Sequence, residues 1–448
     1  MRVEQLELHN FRFFADSHFS FPAQFTVLIG ENGRGKSALL HGLRVAAGAW
    51  LLGFKETERL HIEPEDIRRI ELAARFAPQF PAVVRAKGVV EGQAIEWARH
   101  RADFKGGLGR TGWAEAKPLI DLARGCDAAT NERMADVALP VLVYFSTARL
   151  WVGAKKGVDL KAKGSKIYDG YAQALTPEHK RKGPAGRTMA LAWIKTTYLK
   201  VLEGFNWPRT DLAAASPVAS PIAPPVLLEA VFEAITTCVP DWVDLRWDLE
   251  SDDLVGLYQR PDAGHPEWVP LYYLSDGLRT MAGMVAEIAY RCVILNGHLG
   301  AEAVRESRGV VLIDELDMHL HPNWQRRVVA DLKKAFPNLQ FVVTTHSPFI
   351  VQSLSSLELI NLDHPSDVQP KDLRLEDVAT EVMNVESPLS IENQQAEQLA
   401  RTYLQELHAT DQATSDQLTV LENAVSDPGL RALLRMERLL KEAQQSSK

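Results

Sequence analysis

The chain lacks paired cysteines, a long apolar run and an excess of basic residues. Its three cysteines, Cys126, Cys238 and Cys292, form no C-x-x-C pair, so no disulfide framework or zinc site is indicated and we expect small core residues. The longest apolar stretch, residues 45–54, is far short of the roughly 20 residues that a membrane-spanning helix needs. Because the first residues also show no export pattern, we expect a globular cytoplasmic protein without a membrane partner.

The charge balance is acidic, with a net charge of −8 over 448 residues. This balance argues against a protein that coats nucleic acid with its whole surface. A basic stretch over residues 155–187 nevertheless holds nine Lys or Arg against three Asp or Glu. Two interpretations stay open for it, a solvated mobile insertion and an anion-binding or nucleic-acid patch.

The strongest motif lies in residues 25–37, FTVLIGENGRGKS, between a predicted strand and a predicted helix over residues 36–52. It fits G-x-x-x-x-G-K-[ST], whose glycines let backbone N–H groups surround a phosphate oxygen while the helix start adds further donors. We therefore predict a phosphate-binding loop, in which Lys36 reaches the β and γ phosphates of ATP and the Ser37 hydroxyl binds Mg²⁺. The expected lining residues are Gly30, Asn32, Gly33, Gly35, Lys36, Ser37 and Ala38.

A second buried strand, GVVLIDE over residues 309–315, ends in two adjacent carboxylates. Buried acids without a counter-charge are costly, so this Walker B pattern favours a chemical role. We expect Asp314 to face Mg²⁺ and Glu315 to polarise the water that attacks the γ phosphate. The next predicted strand, residues 339–344, precedes His346, which we expect to hold that water as a catalytic residue.

Residues 274–279, LSDGLR, open a predicted helix whose N-terminus is another candidate anion site. The segment resembles the ABC signature LSGGQ, which binds the γ phosphate held by the opposite subunit. That resemblance implies nucleotide contacts from Ser275, Asp276 and Gly277. The chain departs from the ABC pattern at one position. ABC ATPases usually place a glutamine at Mg²⁺ after the strand that corresponds to the one predicted at residues 141–145. This chain offers Ser146, Thr147 and Arg149 there instead.

Together the motifs resemble those of the ABC-class ATPases of the RecF, SMC and OLD group. The residues that carry the resemblance are Asn10-Phe11-Arg12, the segment 274–279, and IDELDMHLHP followed by TTHSP. More narrowly, the chain is similar to bacterial AAA-labelled ATPases that include the ATPase subunits of Septu and retron-linked defence modules. The resemblance implies that Arg12 contributes to the nucleotide site and that Asp317 reports on a partner subunit across a dimer interface.

The implied fold is α/β, an ABC-type P-loop NTPase with a mixed central sheet, an antiparallel β lobe, an inserted helical region and a C-terminal helical extension. We expect the first part of the core with the β lobe in residues 1–140 and an inserted region with a Pro-rich linker in residues 141–270. The second part of the core should occupy residues 271–370, and the helical extension residues 371–448.

Several smaller features leave alternatives open. Trp242, Trp247 and Trp268 fit core packing better than base stacking. A last amphipathic helix from Pro428, with Leu430, Leu433, Leu434 and Leu440 on one face, either docks on its own domain or binds a partner. His319 and His321 have no third ligand at suitable spacing, so zinc is disfavoured.

The resemblance implies a Mg²⁺-dependent ATPase that acts as a nucleotide-driven switch in a homodimer or larger homo-oligomer. Each ATP would lie between residues 30–37 of one subunit and residues 275–277 of the other. The expected role is the ATPase subunit of an antiphage defence complex that controls a separate nuclease or toxin. The alternative is a RecF-like ATPase of DNA repair or recombination that binds nucleic acid. A transporter cassette and a self-contained OLD-type nuclease are both disfavoured.

Overall fold

The computed structural model divides the chain into two compact units, residues 1–373 and 374–448. The residues that it describes are 1–55, 57–72, 75–103, 111–131, 137–150, 167–181, 186–204, 226–239, 241–259, 265–364, 368–387, 391–409, and 419–446 without 421, 424, 426 and 427. About half of the predicted basic stretch, residues 155–166 and 182–185, and the Pro-rich linker up to residue 225 lie outside them.

The first unit contains strands, helices and short 3₁₀ turns. Its strands are β1 (Arg2–Phe11), β2 (Phe14–Ser20), β3 (Phe25–Ile29), β4 (Arg69–Leu72), β5 (Arg75–Pro78), β6 (Ala82–Val90), β7 (Gln93–Arg101), β8 (Val141–Phe145), β9 (Trp242–Asp248), β10 (Asp253–Tyr258), β11 (Glu267–Pro270), β12 (Gly309–Ile313), β13 (Leu339–Thr344) and β14 (Leu359–Asn361). Its helices are α1 (Lys36–Ala47), α2 (Lys117–Asn131), α3 (Gly186–Gly204), α4 (Val226–Cys238), α5 (Asp276–Leu295), α6 (Ala303–Glu306), α7 (Pro322–Gln325), α8 (Val328–Ala335) and α9 (Pro348–Gln352).

The central sheet has the strand order β14-β3-β13-β12-β8, and all of its pairings are parallel. Strands β3, β8, β12 and β13 are buried along their whole length, which explains why each reads as a continuous apolar run. The α/β fold class is confirmed, but the central sheet is parallel rather than mixed. Strand β8, which opens the predicted inserted region, is one edge of this sheet and so belongs to the core.

Antiparallel strands form sheets of their own. Strands β1 and β2 form an N-terminal hairpin, and β1 also pairs with β6 in the four-stranded order β2-β1-β6-β7. Strands β4 and β5 pair separately, and β9, β10 and β11 form a three-stranded sheet. The antiparallel lobe is therefore larger than the sequence suggested, because the N-terminal hairpin is part of it.

Two helices connect the sheets. Helix α1, which follows the glycine-rich loop, contacts strands of both the parallel and the large antiparallel sheet. Helix α5 contacts α3, α4 and strand β8, and it is buried along most of its length. None of the described helices is both long and apolar enough to cross a membrane.

The predicted core residues are mostly buried. Trp242 and Trp247 are buried, and the three cysteines are buried and free. Trp268 is an exception, because it is 37% exposed and the Arg246 guanidinium carbon lies 4.2 Å from the centre of its ring. The core prediction was wrong for Trp268, because its ring is partly open to solvent and lies beside a cation instead.

The second unit contains α10 (Leu375–Asp377), a π-helical turn over Val378–Val382, α11 (Ile391–Ala409) and α12 (Pro428–Ser446). Leu434 of α12 is buried in a cluster with Tyr403 and Leu407 of α11, and Leu430 packs against it. Leu433 and Leu440 are exposed. The predicted apolar face is thus divided, and only part of it packs within the unit.

Candidate functional site

The carboxyl ends of β3, β12 and β13 open onto one cleft. The described residues that line this cleft are Arg12, Phe13, Asn32, Gly33, Gly35, Lys36, Ser37, Ala38, Asp314, Glu315, Thr344 and His346. The cleft therefore brings together most of the predicted phosphate loop, the two predicted acids and the predicted histidine. Parallel strands place their carboxyl ends at the same sheet edge, which is where ligands bind in open α/β sheets.

The glycine-rich loop adopts a turn that other residues tolerate poorly. Gly33 and Gly35 have φ angles of 87° and 99°, and a Cβ on Gly35 would lie 2.8 Å from the Phe14 ring. The Lys36 ammonium donates to the carbonyl oxygens of Gly30, at 2.5 Å, and Glu31, at 3.0 Å. The lysine is thus folded over the loop, which is the place where a phosphate would be held.

Hydroxyl and carboxylate oxygens converge on one side of the cleft. The Ser37 hydroxyl donates to Asp314 Oδ1 at 3.2 Å, and the Thr344 hydroxyl donates to the same oxygen at 2.7 Å. Hard oxygen ligands of this kind suit Mg²⁺, which usually takes one or two protein ligands plus phosphate oxygens and water. Ser37 and Asp314 therefore fit the metal that the motifs imply, and Thr344 orients the carboxylate.

The backbone of Glu315 is unusual. Its φ angle is 53°, in the left-handed region, and its N–H donates to Thr344 Oγ1 at 2.7 Å. A non-glycine residue in this conformation is uncommon, and such residues cluster at functional sites.

In the loop after β12, Asp317 Oδ1 accepts from Thr345 Oγ1 at 2.6 Å and from the His346 N–H at 3.2 Å. Asp317 therefore holds the histidine segment of its own chain, and its role across a dimer interface stays a prediction.

Arg12 reaches the cleft from the β1–β2 turn. Its Nε donates to Asp66 Oδ1 at 2.7 Å, and Nη2 lies 2.9 Å from His41 Nδ1. The side chain of Asp66 is 2% exposed. Burial, together with the neighbouring cations Arg44 and Arg12, lowers the pKa of His41 to about 2, so this ring is neutral and accepts from Arg12. Asp66 and His41 thus orient Arg12, which sequence reasoning had placed but not explained.

The residues after β8 form hydrogen bonds with Glu178 and with the backbone after β12. The Ser146 hydroxyl bonds to the Glu178 carboxylate, and the Ser146 N–H donates to Glu178 Oε2 at 3.0 Å. Arg149 Nη1 donates to the Asp314 carbonyl and Nη2 to the Glu315 carbonyl, both at 2.5 Å. Burial lowers the pKa of Arg149, against the opposing effect of nearby carboxylates led by Glu178. Neither Ser146 nor Arg149 lines the cleft, so neither takes the position expected of the missing glutamine.

The signature-like segment lies elsewhere. Ser275, Asp276 and Gly277 are absent from the described lining of the cleft. Ser275 and Asp276 are exposed, and Ser275 Oγ accepts from the Leu278 N–H at 3.5 Å as the cap of α5. A Cβ on Gly277 would lie 2.2 Å from the His319 carbonyl oxygen, so the helix start requires glycine to approach the loop after β12. The predicted second half of the site is therefore not joined to the cleft within one chain.

Two further residues have local roles. Asp363, just after β14, accepts a hydrogen bond from the Glu31 N–H at 2.7 Å and forms an ion pair with Arg34, whose Nε lies 2.8 Å from Oδ1, so it supports the phosphate loop. Sequence reasoning missed it because it follows a short, weakly patterned strand. His321 Nδ1 accepts from the Asn323 N–H at 3.3 Å and caps α7.

Family models match two separate parts of the chain. Residues 5–106 match the family described as "AAA domain", and residues 245–352 match "AAA domain, putative AbiEii toxin, Type IV TA system". An SMC head domain from Thermotoga maritima aligns over 81% of this chain and 94% of its own, at 16% identity and a TM-score of 0.38. That likeness is too weak to decide the fold, which rests on the strand order above.

Curated relatives match over short segments. The chain is 43% identical over 95 residues to the "Retron Vc95 probable ATPase" of Vibrio cholerae, covering 21% of this chain and 18% of the relative. It is 35% identical over 139 residues to a "Septu protein PtuA" of Bacillus thuringiensis, covering 27% and 34%. It is 34% identical over 91 residues to a "DNA replication and repair protein RecF" of Picosynechococcus, covering 20% and 21%.

These matched segments span no more than about a third of each relative. The family matches over residues 5–106 and 245–352 include the segments that line the cleft. The resemblance stated from the motifs is therefore confirmed: the core of this chain is similar to those of the retron and Septu ATPases.

Proposed function

We propose that this chain binds ATP with Mg²⁺ in the cleft and hydrolyses it to ADP and phosphate. The observation that supports this most strongly is the meeting of three separate segments there. The phosphate loop, the Ser37–Asp314 pair and the Glu315–His346 pair supply phosphate donors, metal ligands and a base within one cleft. That combination suits phosphoryl transfer to water, in which positioning and charge stabilisation do most of the work.

Each group has a defined task in this mechanism. Backbone N–H groups of the loop and the Lys36 ammonium bind the phosphates, while Ser37 and Asp314 hold Mg²⁺. When bound, Mg²⁺ neutralises charge on the β and γ phosphate oxygens. Glu315 accepts a proton from the attacking water, whose oxygen forms a bond to the γ phosphorus as the bond to the ADP oxygen breaks. His346 orients that water.

We further propose that a second copy completes the site. Ser275 and Asp276 are exposed at the N-terminus of a 20-residue helix and away from the cleft of their own chain. A helix start of this kind binds phosphate through its free N–H groups. In a head-to-tail dimer the two chains would exchange these segments reciprocally, so that ATP joins the subunits and hydrolysis releases them.

Turnover with and without metal tests the catalytic proposal. We expect phosphate release by the purified full chain with Mg²⁺ and none after chelation with EDTA. Glu315→Gln should lower kcat by about 100-fold or more while ATP still binds, because only the base is lost. The matched control is Glu358→Gln, a carboxylate that pairs with Lys333 away from the cleft. Unchanged turnover in Glu315→Gln would contradict the assignment of the base.

The biological role that we propose is control of a separate effector, a nuclease or toxin, in an antiphage defence complex. Support comes from the similarity to retron and Septu proteins. The alternative, a DNA-binding ATPase of repair or recombination, is favoured by the similarity to RecF. DNA affinity measured across salt concentrations separates the two, because phosphate contacts give a steep logarithmic fall with salt. Absence of measurable DNA binding at low salt would exclude the alternative.

A further inference from the structure

Arg149 joins the ends of two neighbouring strands of the central sheet. It lies in the 3₁₀ turn Thr147–Leu150 directly after β8, next to β12 in the parallel pairing. Nη1 donates to the carbonyl oxygens of Ser146, at 3.1 Å, and Asp314, at 2.5 Å, while Nη2 donates to that of Glu315 at 2.5 Å. One planar group therefore contacts the peptide groups on both sides of the Glu315 Cα.

The backbone that Arg149 fixes is the unusual one. Glu315 has a φ angle of 53°, a conformation that asparagine, aspartate and glycine adopt far more readily than glutamate. Such a conformation persists only where neighbouring groups over-determine it. Three hydrogen bonds do so here: Thr344 Oγ1 accepts from the Glu315 N–H, and the Glu315 carbonyl accepts from Arg149 and, at 3.1 Å, from the Met318 N–H.

The chemistry of the guanidinium suits this task. Its N–H groups form a rigid planar fork that reaches two acceptors at once, which the ammonium of a lysine cannot reproduce. Within the described part of the chain, no carboxylate accepts a hydrogen bond or forms an ion pair with Arg149, so its geometry is set by carbonyl oxygens. Hydrogen bonds from a charged donor are stronger than those between neutral groups, so the half-buried guanidinium binds these carbonyl oxygens firmly.

We infer that Arg149 is a positioning residue for hydrolysis, which holds the backbone of Glu315 in the left-handed conformation from which its side chain lines the cleft. Arg149 is not among the described residues that line the cleft, and it acts through Glu315. The inference rests on the proposed ATPase function. It adds that the geometry of the base depends on a cation from the turn after β8.

Kinetics of Arg149→Lys test the inference. We expect kcat to fall by about 10- to 100-fold, because a misplaced base costs that much, while the dissociation constant for ATP stays within about twofold. The matched control is Arg99→Lys. Arg99 is also a buried arginine that donates to two carbonyl oxygens, those of Gly112 and Leu60, but it lies in the antiparallel lobe. This control should keep the wild-type kcat per folded molecule.

A double variant separates positioning from general destabilisation. If Arg149 acts through Glu315, adding Arg149→Lys to Glu315→Gln should not slow single-turnover hydrolysis further, since the base is already gone. Equal losses in both backgrounds would contradict the inference, as would wild-type kcat in Arg149→Lys or an equal loss of kcat in Arg99→Lys. Lack of turnover in the wild-type chain would instead contradict the proposed ATPase function itself.

Discussion

The cleft and the start of helix α5 are both suited to bind phosphate, but they differ in what surrounds them. The cleft collects donors, acids and a histidine from three strand ends of one chain. At the start of α5, Ser275 and Asp276 are exposed. Neither is among the described residues that line the cleft with Lys36, Asp314 and Glu315. The first region is equipped for chemistry, and the second only for recognition. A site that needs both is complete only when two surfaces meet.

The two regions also differ in their buried support. Behind the cleft, Arg12 is held by one carboxylate and a neutral His41. Behind helix α5, Arg291 and Arg181 both reach Glu287 Oε1, at 2.8 and 3.3 Å, in a fully buried cluster. Although burial raises the pKa of Glu287, these two arginines keep it below its ordinary value. Helix α5 is therefore held by buried ion pairs between side chains, whereas Arg12 beside the cleft is held in part by the uncharged ring of His41.

The largest expected difference is in ATP binding. Lys36→Ala should weaken ATP binding by about 100-fold, because charge-assisted contacts to phosphate are lost. Ser275→Arg should leave ATP binding to the isolated chain within about twofold, since this residue lies outside the cleft, and yet abolish turnover. Titration calorimetry and phosphate release measure the two quantities. Loss of ATP binding in Ser275→Arg would show that the two regions are not separate.

The second difference concerns stability. Arg291→Met should lower the free energy of unfolding by about 3–5 kcal/mol, because it leaves part of a buried ion cluster uncompensated. The matched control on the same helix is Arg279→Met, which removes an exposed pair with Asp276 and should cost less than about 1 kcal/mol. Urea unfolding monitored by tryptophan fluorescence gives both values. Equal losses would mean that the buried cluster does not anchor α5.

The smallest effect is a pH dependence behind the cleft. His41 has a pKa of about 2 in the folded protein against 6.5 ordinarily, so below pH 6.5 the unfolded chain binds a proton that the folded chain does not. Stability should therefore fall as the pH falls, and His41 contributes about 1.5 kcal/mol of that loss between pH 6.5 and 5.

The free energy of unfolding of His41→Asn, measured at pH 6.5 and at pH 5, gives the contribution of His41 to this loss of stability. The asparagine can still accept from Arg12 but does not titrate, so the variant should lose about 1.5 kcal/mol less than the wild type over this range. An unchanged dependence in His41→Asn would contradict a buried neutral ring.

The sequence predicted the cleft well because each of its parts depends on neighbouring residues. A phosphate loop requires glycines, lysine and serine at fixed spacing between a strand and a helix, and the acid pair marks the end of an apolar strand. Local patterns of this kind can be recognised in a single chain. The order β14-β3-β13-β12-β8 could not be derived in this way, since parallel strands can be arranged in many orders that bury the same residues.

The residues that support the site were missed for a related reason. Asp66 lies 54 positions from Arg12, and Arg149 lies 165 positions from Asp314. Nothing near Asp66 or Arg149 in the sequence indicates these contacts, because they arise only when strands from distant segments come together. Trp268 shows the opposite error, since an aromatic residue in a strand was assigned to the core although its side chain is 37% exposed.

The central claim is that a complete site needs the cleft of one chain and residues 275–277 of another. Mixing Lys36→Ala protein with Ser275→Arg protein tests it directly, because only mixed dimers contain one intact combination. Each variant alone should be inactive, and the equimolar mixture should recover about one quarter of wild-type phosphate release, since half of the dimers are mixed and each has one intact site. No recovery on mixing, or full turnover by Ser275→Arg alone, would contradict the shared site.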